Sequence, residues 1–499
     1  MNKVLLGIDI GTTGLKTTCY LENGTLVDKA YREYQLSFPQ EGFVEINPEI
    51  WWKSLCECIR EIKSRGKVHV EDIIGIGITC TNSLILLDEN TEPLLPAIMQ
   101  FDQRAATQAE SIKKEAGEKW FFDKTGNRVS AGAFWGPTLK WISENHLYIF
   151  RRVRYLLNPT SFLILKLTGV YCIDHSRAST TMLYNIHQKN WDAELCNFFK
   201  LPIDLLPPIY KSNQIVGYVS DTAELETGLK RGTPVVAGGM DTVGALIGLG
   251  VNSGNGALIM GSVGRFCMES DNLDIRFMNA VNFDGIHTLV ISPVNSVGVS
   301  YKWIKNILFK DEPEKKDIFK IMDNMAETIK PGAEGLIYLP YLSGERSPIW
   351  DPYAKGSFIG LRINHTREHL IRAVLEGVGF ALADNFEILK NELKINPHFL
   401  VASGGGAKSR VWMQIISDML EKDIYIPVEH ETETVGAAIL AGLGTGVFSD
   451  LLSVQKKWIQ ITKIVTPQKE TTAKYQEMLL IFREIYLKNK ELFKKLHQF

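Results

Sequence analysis

The chain has little of several things whose abundance would decide its class. Its 55 lysines and arginines are matched by 57 aspartates and glutamates, leaving a net charge of −2 and no basic surplus of the kind nucleic-acid binding usually requires. Nucleic acid is therefore not an expected partner. Seven cysteines, Cys19, Cys56, Cys58, Cys80, Cys172, Cys196 and Cys267, are scattered over 499 residues and supply neither a disulfide framework nor paired metal-ligand spacing. The one close pair, Cys56 and Cys58, follows Trp51-Trp52 in an amphipathic stretch and reads as packing rather than a metal or redox site. No apolar run reaches the roughly 18 residues a membrane span needs, and the N-terminal apolar stretch is broken by Asp9 before it could form a signal-peptide core. A cytoplasmic location without a membrane partner is the expectation. Neither G-x-G-x-x-G nor G-x-x-x-x-G-K-[ST] occurs, which argues against a Rossmann dehydrogenase and a P-loop kinase.

What is present is ordinary in bulk and specific in places. Hydrophobic residues at 45% and charged residues at 22% describe a globular protein, and 499 residues exceed what one core can organise. Two domains are expected. Strand patterns at 4–10, 14–20 and 25–31 precede a helical stretch at 48–65, then apolar strands at 73–79 and 84–87. Helical patterns follow at 103–118, 137–145 and 159–168. Strands near 257–268 and 288–292, a helix at 298–309 and a long helix capped by Thr366 repeat the α/β order in the second half. The basic segment 471–499 carries Tyr475, Met478, Leu479, Phe482, Ile485 and Leu492 on one helical face. It reads as a terminal helix packed on its own domain rather than one lying on a membrane surface.

The first local signal of chemistry is at 4–18. An apolar strand ends on Asp9, a Gly11-Thr12-Thr13-Gly14 turn follows, and a second strand carries Lys16. Gly11 and Gly14 permit a tight turn with positive φ, the N–H groups and the Thr12 and Thr13 hydroxyls can face phosphate oxygens, and Asp9 can hold the water shell of Mg²⁺. An ordinary hairpin has the same appearance. A similar strand, Gly-Ser-x-Gly turn and strand recurs at 256–266, around Ser262, near the middle of the chain. Two such turns suggest two related lobes acting on one polyphosphate. Asp241, after Gly238-Gly239-Met240 and at the start of a small-residue helix, can accept a hydroxyl proton or serve as a helix cap. The Gly404-Gly405-Gly406 run between strand and helix, ending at Ser409, lets a flat ring or a phosphate approach the backbone.

With these elements in this order the chain resembles the FGGY family of sugar kinases. The most specific match is Gly356-Ser357-Phe358-Ile359-Gly360-Leu361, seven residues, then His369 through Glu376, which meets the family's C-terminal signature at every constrained position. Asn47–Trp52, Phe101–Arg104, Leu339–Pro348 and the Gly404–Ser409 loop add to the likeness, which covers about residues 1–447. The resemblance implies an α/β, two-lobed ribonuclease H-like fold of the actin, hexokinase and heat-shock ATPase superfamily, with the active site in an interlobe cleft. It further implies residues 1–250 as an N-terminal lobe with the sugar and first phosphate loop, and 251–499 as a nucleotide-binding lobe.

By the same resemblance Asp241 matches the catalytic base and, with Asp9, the Mg²⁺ site through water. Gly11, Thr12, Thr13 and Lys16 match the first phosphate loop, and Ser262 matches the second, where relatives usually have Thr. Gly298 and Lys302 fall at nucleotide phosphate and ribose contacts, although relatives usually have another polar residue in place of Lys302. Gly404, Gly405 and Ser409 correspond to the adenosine pocket. Asp102 and Arg104 lie in the sugar-side block, and Glu345 and Arg346 read as structural or hinge residues. Two departures bear on substrate identity. Cys80-Thr81-Asn82-Ser83 stands where xylulose kinases carry Gln-Met-His, making Thr81 and Asn82 candidate sugar contacts, and Thr138 replaces a signature lysine. The expected activity is transfer of a phosphoryl group from ATP, with Mg²⁺, to a primary hydroxyl of a small sugar, a ketopentose such as xylulose. Gluconate, another polyol or an autoinducer-like substrate are alternatives. A non-catalytic sugar or nucleotide sensor is the competing class, and a chaperone-like ATPase a further one. Relatives form dimers, so a homodimer is a candidate assembly through surfaces one sequence does not reveal.

Overall fold

The computed structural model describes residues 3–310, 312, 317–428 and 431–498. It divides into two compact units, one formed by Met1–Gly250, Asn279–Leu289 and His430–Gln460, the other by Val251–Met278, Val290–Glu429 and Ile461–Phe499. Two stretches from beyond residue 250 are thus built into the first unit.

In the first unit, strand Val4–Ile10 pairs antiparallel with Gly14–Leu21 and parallel with Ile73–Cys80, and Leu26–Glu33 extends the sheet on the hairpin side. Pro234–Val236 and Ile215–Tyr218 continue it on the other side. The centre of this sheet is buried on both faces, which is why its strands read as unbroken apolar runs rather than alternating ones. Helix Glu49–Arg65 covers one face with Trp51, Leu55, Cys58, Ile59 and Ile62 buried, starts with Glu49 in its first turn and ends on Gly66 in the left-handed conformation. Helix Thr432–Gly444 packs against the sheet through glycines. Gly7 and Gly77 are register partners, and a Cβ on either would lie 2.1 Å from the Thr434 carbonyl oxygen or 1.9 Å from that of Ala437. Any side chain there would push the helix off the strands that carry Asp9.

The second unit repeats the arrangement. Gly256–Met260 pairs antiparallel with Gly264–Glu269 and parallel with Phe399–Ser403, which in turn pairs parallel with Asp423–Pro427. A first strand flanked by its hairpin partner and by a later parallel strand is therefore common to both units. Helix Arg367–Asn391 crosses the core of this unit. It opens with a capping box between Thr366 and His369, and Ile371, Val374, Leu375, Val378 and Leu382 are buried along it. The terminal helix Lys469–Leu496 is held to it by a buried network in which Arg372 donates to Glu376 at 2.6 Å, and to the Tyr475 hydroxyl at 2.7 Å, which itself donates to Glu376 at 2.7 Å. Leu492 departs from the expected face: it is exposed, and Tyr486 and Phe493 are buried instead, because the apolar stripe drifts around a 28-residue helix. Among the described residues no helix is long and apolar enough to cross a membrane. All seven cysteines are buried, Cys56 and Cys58 among the buried residues of their helix.

Candidate active site

In the first unit the chemistry gathers where the central strands end. Asp9 lies opposite Thr79 on the neighbouring parallel strand and accepts a hydrogen bond from its hydroxyl at 2.9 Å. Burial first, then the charges of Glu433 and Asp241, raise its carboxyl well above the usual carboxylate range. Glu433 arrives on the first turn of the Thr432–Gly444 helix, a contribution no local motif announced.

Asp241 begins the helix Asp241–Gly248, and its Oδ1 accepts from the Thr242 amide at 2.6 Å and hydroxyl at 3.2 Å. The approach to it is fixed by three features. Gly238 has φ +65° and no room for a Cβ, which would lie 2.0 Å from the Ile78 carbonyl oxygen. Gly239 and Met240 pair with Thr79 and Cys80, and the Met240 amide donates to Ser176 Oγ at 3.0 Å. Arg177, which the sequence did not single out, is buried with Nη2 at 3.6 Å from Asp241 Oδ1 and donates to the Cys80 carbonyl. Its short helix is capped by Asp174, and the guanidinium's bond to the Cys80 carbonyl holds the cation beside Asp241.

The Gly11–Gly14 turn differs from expectation in one respect. Neither glycine takes a positive φ. The need for glycine is steric: a Cβ on Gly14 would lie 2.2 Å from the Tyr31 hydroxyl, and the Gly11 amide closes the turn on the Gly14 carbonyl at 2.9 Å. Tyr34 braces it from outside, donating its hydroxyl to Gly11 O at 2.6 Å and its amide to Thr13 O at 3.0 Å. Thr12 is half-buried and Thr13 exposed. Lys16 is not free, since its Nζ lies 2.7 Å from Glu431.

The four expected sugar-side residues are largely occupied by protein partners. The Thr81 hydroxyl accepts from Gln100 at 2.8 Å, and the Asn82 amide donates to Ala133 O at 2.9 Å. Arg104 is buried between Asp102 and Glu45, with contacts of 2.8 Å and 2.7 Å, and lies over the Phe43 ring at 4.0 Å. Asp102 also accepts from the Val44 amide at 2.6 Å. One cation faces two carboxylates here.

In the second unit, Ser262 occupies the turn between Gly256–Met260 and Gly264–Glu269. Helix Val297–Leu308 docks on that turn: the Gly298 amide donates to Gly261 O at 3.0 Å, and a Cβ on Gly298 would lie 2.6 Å from the same oxygen. Lys302 stands one turn further along. Gly404, at φ +86°, folds its loop against the Met260 carbonyl, and Ser409 caps the next helix by accepting from the Trp412 amide at 3.2 Å. Ser262, Gly298, Lys302, Gly405 and Ser409 all line one cavity of about 740 Å³, with Tyr301, Phe319, Asp323 and Trp412. Gly404 shapes the loop without lining it. That volume lies within the usual range of roughly 300–1,000 Å³ for small-molecule and cofactor sites. Glu345 is buried, its carboxyl pushed up to about 7 by burial, and it accepts from the Asn295 and Arg346 amides at 2.8 and 2.7 Å. It thereby anchors the segment leading into the helix of Gly298.

The chain matches the FGGY family of carbohydrate kinases, whose N-terminal domain matches residues 4–248 and whose C-terminal domain matches 287–445. The chain belongs to this family. It is 30% identical to a xylulose kinase of Bacillus subtilis over 98% of both chains. It is 31% identical to a gluconokinase of the same organism, over 97% of this chain and 95% of the relative. The crystal structure of a ligand-bound xylulose kinase from Lactobacillus acidophilus matches with a TM-score of 0.92 and 27% identity, over 99% of this chain and 100% of that one. The protein is accordingly a carbohydrate kinase, a phosphotransferase on the two-domain α/β fold of this family, which is of the actin and hexokinase kind. Kinases of the family use ATP.

Proposed function

We propose that this kinase transfers the γ-phosphoryl group of ATP to a primary hydroxyl of a neutral ketopentose such as xylulose, with Asp241 as the base. The observation that carries this is the placement of Asp241, fixed at a helix start by Thr242 and the Gly238 turn beside the buried Arg177. A carboxylate held in this way can accept the hydroxyl proton as the sugar oxygen attacks in line at phosphorus. Arg177 places a buried cation 3.6 Å from Asp241 Oδ1, beside the proton-accepting position. The Gly11–Gly14 turn, with Thr12 and Thr13, and the Gly261–Gly264 turn, with Ser262, would supply N–H and hydroxyl donors to phosphate oxygens. Gly298, Lys302, Gly405 and Ser409 would seat the nucleotide in the cavity they line.

Asp9 and Asp241 would hold Mg²⁺ through water. Their donor set suits it, since the raised Asp9 carboxyl is one that a nearby dication would relieve, and no cage of three or more ligating side chains exists among the described residues, as befits an ion that keeps most of its waters. When bound, that ion neutralises charge on the β- and γ-phosphate oxygens.

Charge favours a neutral acceptor over a sugar acid. Arg104, the cation among the expected sugar-side residues, already faces Asp102 and Glu45, so a gluconate carboxylate would add a third negative charge. ADP release should be measured with Mg·ATP against D-xylulose, L-xylulose, D-ribulose, gluconate, glycerol and no sugar. Acceleration by a ketopentose of several orders of magnitude over the blank supports the reading. A gluconate response exceeding every ketose would refute the substrate class, and a uniform blank rate would favour a sensor.

A further inference from the structure

We propose that Asp323 selects adenine over guanine in the second unit's cavity by accepting a hydrogen bond from the exocyclic 6-amino group of the base. The inference rests on the reading above that this cavity holds the nucleotide. Asp323 lines it from the helix Ile318–Glu327, and its Oδ1 is fixed by two donors, the Tyr301 hydroxyl at 2.6 Å and the Ser409 hydroxyl at 2.8 Å. Tyr301 is itself packed against Phe319 and Trp412, with ring centroids 5.1 and 5.2 Å away. The carboxylate is therefore held on an aromatic wall. Ser409, the residue expected to meet adenosine, has given its only hydrogen to Asp323 while its oxygen caps the helix at Trp412, so it has no donor left for the base.

Asp323 lines the cavity, and its Oδ2 has no donor among the described residues and is not fully enclosed. A carboxylate only accepts. Adenine presents an amino donor at position 6 where guanine presents a carbonyl oxygen, so the same oxygen attracts one base and repels the other. The other carboxylates of the lining are less suited: Asp317 accepts from the Lys320 amide as the cap of its helix, and Glu327 is exposed. Burial raises the Asp323 carboxyl from its ordinary value, and a ligand N–H would steady its charged form.

The test is the affinity of the full chain for ATP, GTP and purine riboside triphosphate, which lacks the 6-amino group, read by titration calorimetry and by kcat/KM. Wild type is expected to prefer ATP over both others by at least about tenfold. Asp323→Asn, whose amide can also donate, should reduce the ATP:GTP ratio to within about threefold while still binding ATP. A purely structural role for Asp323 would lower both affinities and leave the ratio unchanged, which overturns the proposal. So would a wild type that binds all three alike, a result independent of whether the variant folds. If wild type binds and uses none of the three, the ATP reading of the cavity fails as well.

Discussion

The two glycine-bounded turns, Gly11–Gly14 and Gly261–Gly264, share a strand–turn–strand frame and a later parallel strand beside the first, yet they are furnished for different work. Two residues before the first turn stands Asp9, buried and crowded by Glu433 and Asp241. Two residues before the second stands Ile259, and the turn is instead clamped to a helix start by Gly298 beside a cavity of about 740 Å³. In each turn the first glycine's amide is spent on closing the turn itself, on Gly14 O in one and Val263 O in the other. The two turns differ in the residue on the strand before them and in the element docked beside them.

The comparison can be broken first on the acidic side. Asp9→Asn is expected to lower kcat by about 10²-fold or more, with the ATP concentration dependence less affected. The same change should raise the thermal midpoint of the ligand-free protein at neutral pH. The sign follows from the raised carboxyl: its neutral form is favoured in the fold, so the stability it allows is present below the unfolded carboxyl range and is lost as pH rises through the raised folded value. Scanning calorimetry from acid to neutral pH should show that loss in wild type and a flatter profile in the variant.

On the nucleotide side, Gly298→Ala places a methyl 2.6 Å from the Gly261 carbonyl and must shift helix or turn. Its KM for ATP should rise by about tenfold, with a smaller change in KM for the sugar in steady-state assays. A Lys16→Ala change should move KM for ATP by less than about threefold, because Glu431 already neutralises that lysine. A larger effect would show that Lys16 leaves its partner for phosphate. The smallest effect is expected at Glu345→Gln. Its carboxyl is raised from 4.5 to about 7, so wild type loses stability as pH rises between those values, and the variant, which keeps Oε1 for both amides, should lose less.

Most of the fold could be read from sequence because its signals are local: unbroken apolar strands, the Thr366 cap, and strand–turn–strand units around Asp9 and Ser262. Of the cavity residues, Ser262, Gly405 and Ser409 stand in local glycine-rich motifs while Gly298 and Lys302 follow only from the family resemblance, and the fold brings all five to one cavity. Arg177, Glu433 and Asp323 were not legible. Each lies on an unremarkable helical segment and acquires its role only by packing, Glu433 reaching Asp9 from the far end of the chain through the glycine contacts of Gly7 and Gly77. The expected positive φ at Gly11 and Gly14 failed for a related reason, since the demand for glycine there comes from Tyr31 and the turn's own carbonyl rather than from backbone conformation. Asp102 and Arg104 were recognised as a pair of interest, but their mutual ion pair, closed by Glu45, is a tertiary fact.

The most direct test of the account is the kinetics of Asp241→Asn with D-xylulose, measured as ADP release over a range of ATP concentrations. A fall in kcat of about 10²–10⁴-fold with KM for ATP nearly unchanged is the predicted result. A kcat close to wild type would contradict the assignment of Asp241 as the base and, with it, the division of labour between the two turns.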